Sequence, residues 1–384
     1  MTAEDLAAAF KAAHSRLPEF IARAPGRIEV IGNHTDYNGG PVLGAAIDRS
    51  VWVGVARRGD AVRRFGSSQR PGAVEVPAGD MSRRTGADGW VNYPLGVLSA
   101  MGAAGLPAPA GFDFETSSTV PLGAGLSSSA AIELASALAF LASAGSSVGR
   151  EQLAALGRRA ENEFVGVPCG ILDQGVSAFG KRDHLVYIDC RGPRFETVPL
   201  APQANFWVFN THTRHALVDG LYAARHEECM EAARGIGVAL LADATPQSLA
   251  AAETRLSRAS YKRARHVVDE IGRVGRAVEA LRGGDLQALG RLLFESHRSS
   301  RTWFENSTAE LDFLVDTLEG RRGVLGARLS GGGFGGAVMA LTTGDFGAEE
   351  AALVGDAYVA RFGSRPEVLH ARADDGAELV RGAR

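Results

Sequence analysis

The sequence predicts a two-domain α+β protein, and three observations carry that reading. Its 384 residues suffice for two separately packed cores. A strand-like run at Phe112–Thr116 leads into a glycine-serine loop and then a long apolar helix, mixing the two kinds of element. A composition shift at Pro199–Gln203 divides residues 1–202 from residues 203–384, where a strand at Phe206–Asn210 is followed by several helices.

Bulk properties narrow the function classes. A hydrophobic fraction of 45% with 22% charged residues is an ordinary globular balance. A formal net charge of -3 and a pI near 6.3 leave no electrostatic footprint for nucleic acid or an anionic membrane, so small-molecule chemistry is expected. Cys169, Cys190 and Cys229 are widely spaced and form no CxxC pair, which argues against a disulfide framework or a zinc site and for a reducing, cytoplasmic setting. The acidic start Met1-Thr2-Ala3-Glu4-Asp5 does not read as a signal peptide. The apolar run Ala130–Ala144 carries Glu133 and falls short of the ~20 residues a membrane span needs.

In chain order, Glu4–Phe20 reads as a helix with Leu6, Phe10 and Leu17 on one side. Strands are expected at Ile28–Ile31, Val42–Ile47 and Val51–Arg57. At the first of these strands and in the polar loop after it, Arg27, Asn33, His34, Asp36, Tyr37 and Asn38 crowd within a dozen residues. These side chains suit a hydrated hairpin loop or a site for a small polyhydroxylated ligand. Trp90–Met101 reads as an amphipathic helix in which Trp90, Tyr93, Leu95 and Leu98 face a core.

The segment Pro121–Ala142, PLGAGLSSSAAIELASALAFLA, is a glycine loop feeding a helix N-terminus. Exposed N–H groups and the helix dipole there suit an anion, and the serine hydroxyls can ligate a cation travelling with phosphates. A capped core helix with a flexible entry is the plainer alternative. A Walker loop is absent, because there is no GxxxxGK[ST] and no lysine near Ser127–Ser129. In VPCGILDQGVSAFG, Asp173 lies between Ile171-Leu172 and Val176, an expensive place for an unpaired carboxylate; it is either an N-cap or a chemical group. Cys169 has no basic neighbour to activate it. The cluster Arg255, Arg258, Lys262, Arg263 and Arg265 reads as a solvated helical face. ARLSGGGFGGAVMAL satisfies GxGxxG through Gly331, Gly333 and Gly336, but a short strand follows, so a dinucleotide site is rejected. Glycines around Phe334 instead let the backbone approach another part of the molecule or a phosphate. A helix at Ala348–Phe362 and a strand at Glu367–Ala371 close the chain.

Four segments, APGRIEVIGNHTDYNGG, PLGAGLSSSAA, VPCGILDQ and SGGGFGGA, together resemble the GHMP kinases, and within them the branch that phosphorylates galactose at C1. The resemblance implies a ribosomal S5 domain 2-like N-terminal domain and a ferredoxin-like C-terminal domain, with ATP and sugar bound between them. It implies Asp173 as the base toward the C1 hydroxyl, with Arg27 beside it. It places sugar hydroxyls against Arg27, Asn33, His34, Asp36, Gly170, Asp173 and Tyr222, and adenine against Trp90 and Tyr93. The phosphates would lie on Gly123, Gly125, Leu126, Ser127, Ser128, Ser129 and Ala130, with magnesium on Ser128 or Ser129 and Glu161. Gly331, Gly332, Gly333 and Gly335 form the second glycine loop. Asn33 stands where the family usually has glutamate, which opens galacturonic acid and L-arabinose as alternatives to galactose. Thr302-Trp303-Phe304-Glu305 also departs from the family pattern. The partners implied are a small sugar and ATP, with a monomer or weak homodimer expected. A non-catalytic sugar and ATP sensor is the alternative of another class.

Overall fold

Helix α1 (Ala3–His14) opens the chain with a capping box, in which the Thr2 hydroxyl and the Asp5 carboxylate satisfy each other's backbone N–H groups. The computed structural model describes residues 1–121, 123, 125–214 and 218–382. The helix stops at Ser15, whose φ of 57° is left-handed, and Phe20 already begins β1, so the helix expected over Glu4–Phe20 is shorter. Strand β1 (Phe20–Ile31) pairs antiparallel with β2 (Pro41–Arg57). The two strands expected at Val42–Ile47 and Val51–Arg57 are one, because the ladder continues through Pro25↔Ser50 and Ala24↔Val51 despite the polar Asp48 and Arg49. The hairpin β3 (Val62–Ser67) and β4 (Arg70–Pro77) was not expected; its arginines and glycines mask the period-two pattern.

Helix α2 (Asn92–Ala103) follows a 3₁₀ turn over Gly86–Val91, and β5 (Phe112–Ser118) leads through the loop into α3 (Ser128–Ser143). Next come α4 (Arg150–Arg159), a π-helical turn over Ala160–Val165, α5 (Leu172–Phe179), β6 (His184–Asp189) and β7 (Arg194–Pro199). Helix α3 lies across β1 and β2. There Leu134, Ala137 and Phe140 meet Ile28, Val30 and Val53 in one core, all fully buried.

The second half contains β8 (Asn205–Arg214), α6 (Val218–Ile236), α7 (Pro246–Ala252), α8 (Arg258–Arg282), α9 (Leu286–Ser299) and α10 (Ala309–Leu318). It continues with β9 (Val324–Ser330), β10 (Gly335–Thr342), α11 (Ala348–Phe362) and β11 (Glu367–Ala371). These strands form a 4-stranded sheet in the order β11-β8-β10-β9. The last strand, β12 (Glu378–Arg381), returns to the first sheet, whose 8 strands run β12-β1-β2-β5-β3-β4 with β6 paired to β2 and β7 to β6. Among the described residues no helix is long and apolar enough to cross a membrane.

Candidate active site

Strand β1 sets the site by alternation. Ile28 and Val30 point into the core, which turns Arg27 and Glu29 to the opposite face. Arg27 donates to Asp173 Oδ1 from Nε at 2.8 Å and from Nη2 at 2.7 Å. The other carboxylate oxygen, Oδ2, accepts from Ser127 Oγ at 2.5 Å. Asp173 follows the N-cap Ile171 and lies inside the first turn of α5, so it is not the cap of that helix; its carboxylate serves these tertiary partners instead.

The glycine loop is tied to the same arginine. Arg27 Nη1 donates to the Gly125 carbonyl at 2.7 Å, and the Arg27 amide donates to the Leu126 carbonyl at 3.0 Å. Gly123 and Gly125 take φ of 73° and 66°, conformations that a side chain would strain. Ser127 is the N-cap of α3 and is itself left-handed, at φ 56°. Its hydroxyl is committed to Asp173 and makes no capping bond. The first-turn N–H groups of Ser128, Ser129 and Ala130 are thus left for an external acceptor, the arrangement that binds phosphate at a helix N-terminus.

Beside this loop lie two buried carboxylates that share one amide. Gln174 Nε2 donates to Glu161 at 2.6 Å and to Glu133 at 3.1 Å. Burial pushes both acids upward; Glu161 raises Glu133 further and Asp173 raises Glu161, while hydrogen bonds from Ser129, Gln174 and Cys169 partly hold Glu161 down. Glu133 Oε1 is buried with no partner. Such concentrated negative charge fits a hard cation. Among the described residues no three acidic, His or Cys side chains form a metal cage, so a cation here would rely on a carboxylate, a serine hydroxyl and oxygens of a nucleotide, as magnesium usually does. Burial also pushes the Cys169 thiol well up, in keeping with an inert residue.

The polar loop after β1 forms the other wall. Asp36 is pushed up to about 6 by burial, with Glu29 and Asp173 adding repulsion. Gly170 packs against it so closely that a Cβ would lie 1.9 Å from Asp36 Oδ2. Tyr222 of α6 closes over His34 and Tyr37, with ring centroids 5.2 and 6.0 Å away. His34 is held neutral, its imidazole pushed down to about 3 by burial. Its Nε2–H donates to the Gly332 carbonyl at 3.0 Å, which leaves Nδ1 to accept from the Tyr37 hydroxyl, also at 3.0 Å. Both ring nitrogens are therefore committed to protein.

The second glycine loop, between β9 and β10, approaches protein backbone and side chains, the first of the two options the sequence left open. The Gly331 carbonyl accepts from Asn33 and the Gly332 carbonyl from His34 and Asn306. Gly333 has φ 79°, and a Cβ there would lie 2.3 Å from the Asn306 carbonyl; Gly335, at φ 124°, is equally crowded by Thr213.

Several residues that shape the site were not singled out by sequence. On α8, Glu270 accepts from the amides of Gly32 and Asn33, and His266 Nε2–H donates to the Asn33 carbonyl at 3.1 Å. Arg273 pairs with Glu270, and Arg328 of β9 is wholly buried against Glu29. The spacing of His266, Glu270 and Arg273 at i, i+4 and i+7 on one helical face was the available signal. Arg263 departs from the solvated-face reading: it is buried and paired with Glu228 and Glu305. The divergent segment now has a place. Phe304 is fully buried between His34 and His266, at centroid distances of 4.3 and 4.7 Å, and Glu305 pairs with Lys262 and Arg263. Trp90 is partly buried against the first core, and the Tyr93 hydroxyl senses Glu161 and Glu133.

Comparison with known proteins gives the family. Family models match as the GHMP kinases N terminal domain over residues 92–181 and the GHMP kinases C terminal over residues 277–359. A third, the galactokinase galactose-binding signature, matches residues 8–57. The chain is 40% identical to the galactokinase of Homo sapiens over 87% of this chain and 86% of that protein. It is 38% identical to the galactokinase of Thermotoga maritima, covering 93% and 99%. The solved Lactococcus lactis galactokinase complexed with galactose superposes with a TM-score of 0.92 at 31% identity, over 98% and 99% of the two chains. The Methanococcus jannaschii mevalonate kinase, at 17% identity and a TM-score of 0.67, shares the fold. The chain belongs to the GHMP kinase family, in its galactokinase branch.

Proposed function

We propose that this protein transfers the γ-phosphoryl group of ATP to the C1 hydroxyl of galactose, giving galactose 1-phosphate and ADP. The observation that carries the reading is the position of Asp173, held by Arg27 and Ser127 beside the uncapped N-terminus of α3. Asp173 Oδ2 keeps a lone pair beyond its bond from Ser127 and takes the proton of the C1 hydroxyl as the oxygen attacks phosphorus. Arg27 orients the carboxylate and stabilises charge on the phosphoryl group in transfer.

Gly123, Gly125, Leu126 and the first turn of α3 carry the phosphate chain, and Trp90 and Tyr93 border the adenine. Magnesium, held by Glu161 with Ser128 or Ser129, would neutralise the phosphate oxygens. Asp36, Gly170 and Tyr222 line the sugar side, with Asn33 and His34 behind them. The mechanism rests on positioning and electrostatics, as phosphoryl transfer generally does.

The test is ADP release from Mg-ATP across galactose, glucose, N-acetylgalactosamine, galacturonic acid and L-arabinose. Galactose is expected to give the highest kcat/KM. Preference for galacturonic acid or L-arabinose would move the assignment to a sister kinase, and silence with every sugar would favour a sensor.

A further inference from the structure

Asn33 has little capacity left for a ligand. Its Nδ2 donates to Glu29 Oε1 at 3.0 Å and to the Gly331 carbonyl at 2.8 Å. Its Oδ1 accepts from Asn306 at 2.9 Å and from Ser300 at 3.5 Å, and the residue is 1% exposed. Two N–H donors and two acceptor positions exhaust an amide.

Glu29 is in the opposite condition. Asn33 and Arg328 both bond its Oε1, at 3.0 and 3.2 Å, while its Oε2 takes no hydrogen bond from a described residue. Its side chain keeps 6% of its surface exposed. The carboxylate is fixed from behind with one oxygen left over. Its direction follows from the strand: Arg27 and Glu29 pair in unbroken register with Ala46 and Gly44, so both project from the same face of β1, about 7 Å apart. Arg27 holds Asp173 at the reacting end. Glu29 therefore stands roughly a pyranose ring's length further along, on the side of Asp36 and Tyr222, both of which feel its charge.

We infer that Glu29 is a substrate-binding residue whose Oε2 accepts a hydrogen bond from the sugar hydroxyl remotest from C1, the exocyclic 6-hydroxyl, with Asn33 and Arg328 as its positioning residues. This deepens the sugar-kinase reading and rests on it. It also selects among sugars. A carboxylate there favours a donor at C6, gains nothing from a pentose lacking that carbon, and repels a uronic acid.

The experiment compares kcat/KM for galactose, 6-deoxygalactose, 6-fluoro-6-deoxygalactose and galacturonic acid in the wild-type protein and in Glu29→Gln. In the wild type, the 6-deoxy and 6-fluoro sugars are expected to lose about tenfold or more, since neither can donate from C6 and a hydrogen bond to a charged group is at stake. In Glu29→Gln the penalty shrinks, mainly through a higher KM for galactose, and galacturonic acid gains relative to galactose. Wild-type protein that uses 6-fluoro-6-deoxygalactose as well as galactose would overturn the inference without any variant. So would a folded Glu29→Gln protein with an unchanged sugar ranking. Failure of wild-type protein to phosphorylate any of these sugars would count against the kinase reading instead.

Discussion

At the scale of single residues, the site depends on which carboxylates are ionised. Asp36 has a folded pKa of about 6 against an ordinary 3.8, with burial the main cause. The sign follows directly. Because the folded state binds this proton more tightly, ionising Asp36 costs stability as pH rises from 3.8 through 6, and on the proposed function the acceptor form for sugar hydroxyls develops around pH 6 in the folded protein. His34, pushed down to about 3, stays neutral in the folded protein and adds nothing to the activity profile there, while its effect on stability has the opposite sign, because the unfolded chain takes up that proton as pH falls below 6.5. The kcat/KM for galactose is thus expected to rise through pH 6, and Asp36→Asn should remove that limb while raising KM. A wild-type profile flat from about pH 5 to 7 would show that Asp36 does not control sugar binding.

At the scale of elements, the legible parts of the sequence were those with strong local signals. The loop and helix at Gly123–Ser143 and the helix at Ala348–Phe362 follow from glycine placement and apolar period alone. The β3–β4 hairpin and β12 did not, because arginines, glycines and exposed Leu379 and Val380 erase alternation. Among site residues, Asp173 stood out as a carboxylate in an apolar run, and the same reasoning applied to Glu133 would have found it. The anchoring group of His266, Glu270 and Arg328 was hidden because its partners are the backbone of Gly32 and Asn33 and the side chain of Glu29, more than two hundred residues away in the chain.

The π-helical segment Ser300–Phe304 makes the point energetically. Phe304 is fully buried against His34, so Phe304→Ala should cost about 3–5 kcal/mol, read as a lower urea midpoint. It should also raise the KM for sugar, since His34 loses its support against the Gly332 carbonyl. A lower midpoint with unchanged KM would limit this segment to stability.

At the scale of the whole molecule, neither half holds the site alone. The first half supplies Arg27, Asp173, the glycine loop and the carboxylate pair Glu133 and Glu161; the second supplies Tyr222, Phe304, the Gly331–Gly335 loop and the α8 anchor. Buried polar contacts join them: Asn33 to Gly331, His34 to Gly332, Glu270 to Gly32 and Arg328 to Glu29. Such networks favour one arrangement of the walls, which is what in-line phosphoryl transfer needs. On the proposed function, this arrangement serves to place Asp173 at the sugar's C1 hydroxyl. The most direct measurement is turnover of galactose by Asp173→Asn, with galactose and Mg-ATP binding followed by calorimetry on the same protein. Turnover is predicted to fall by at least about 100-fold while both ligands still bind within about tenfold of wild type. Near-normal turnover in that variant would remove Asp173 from the chemical step.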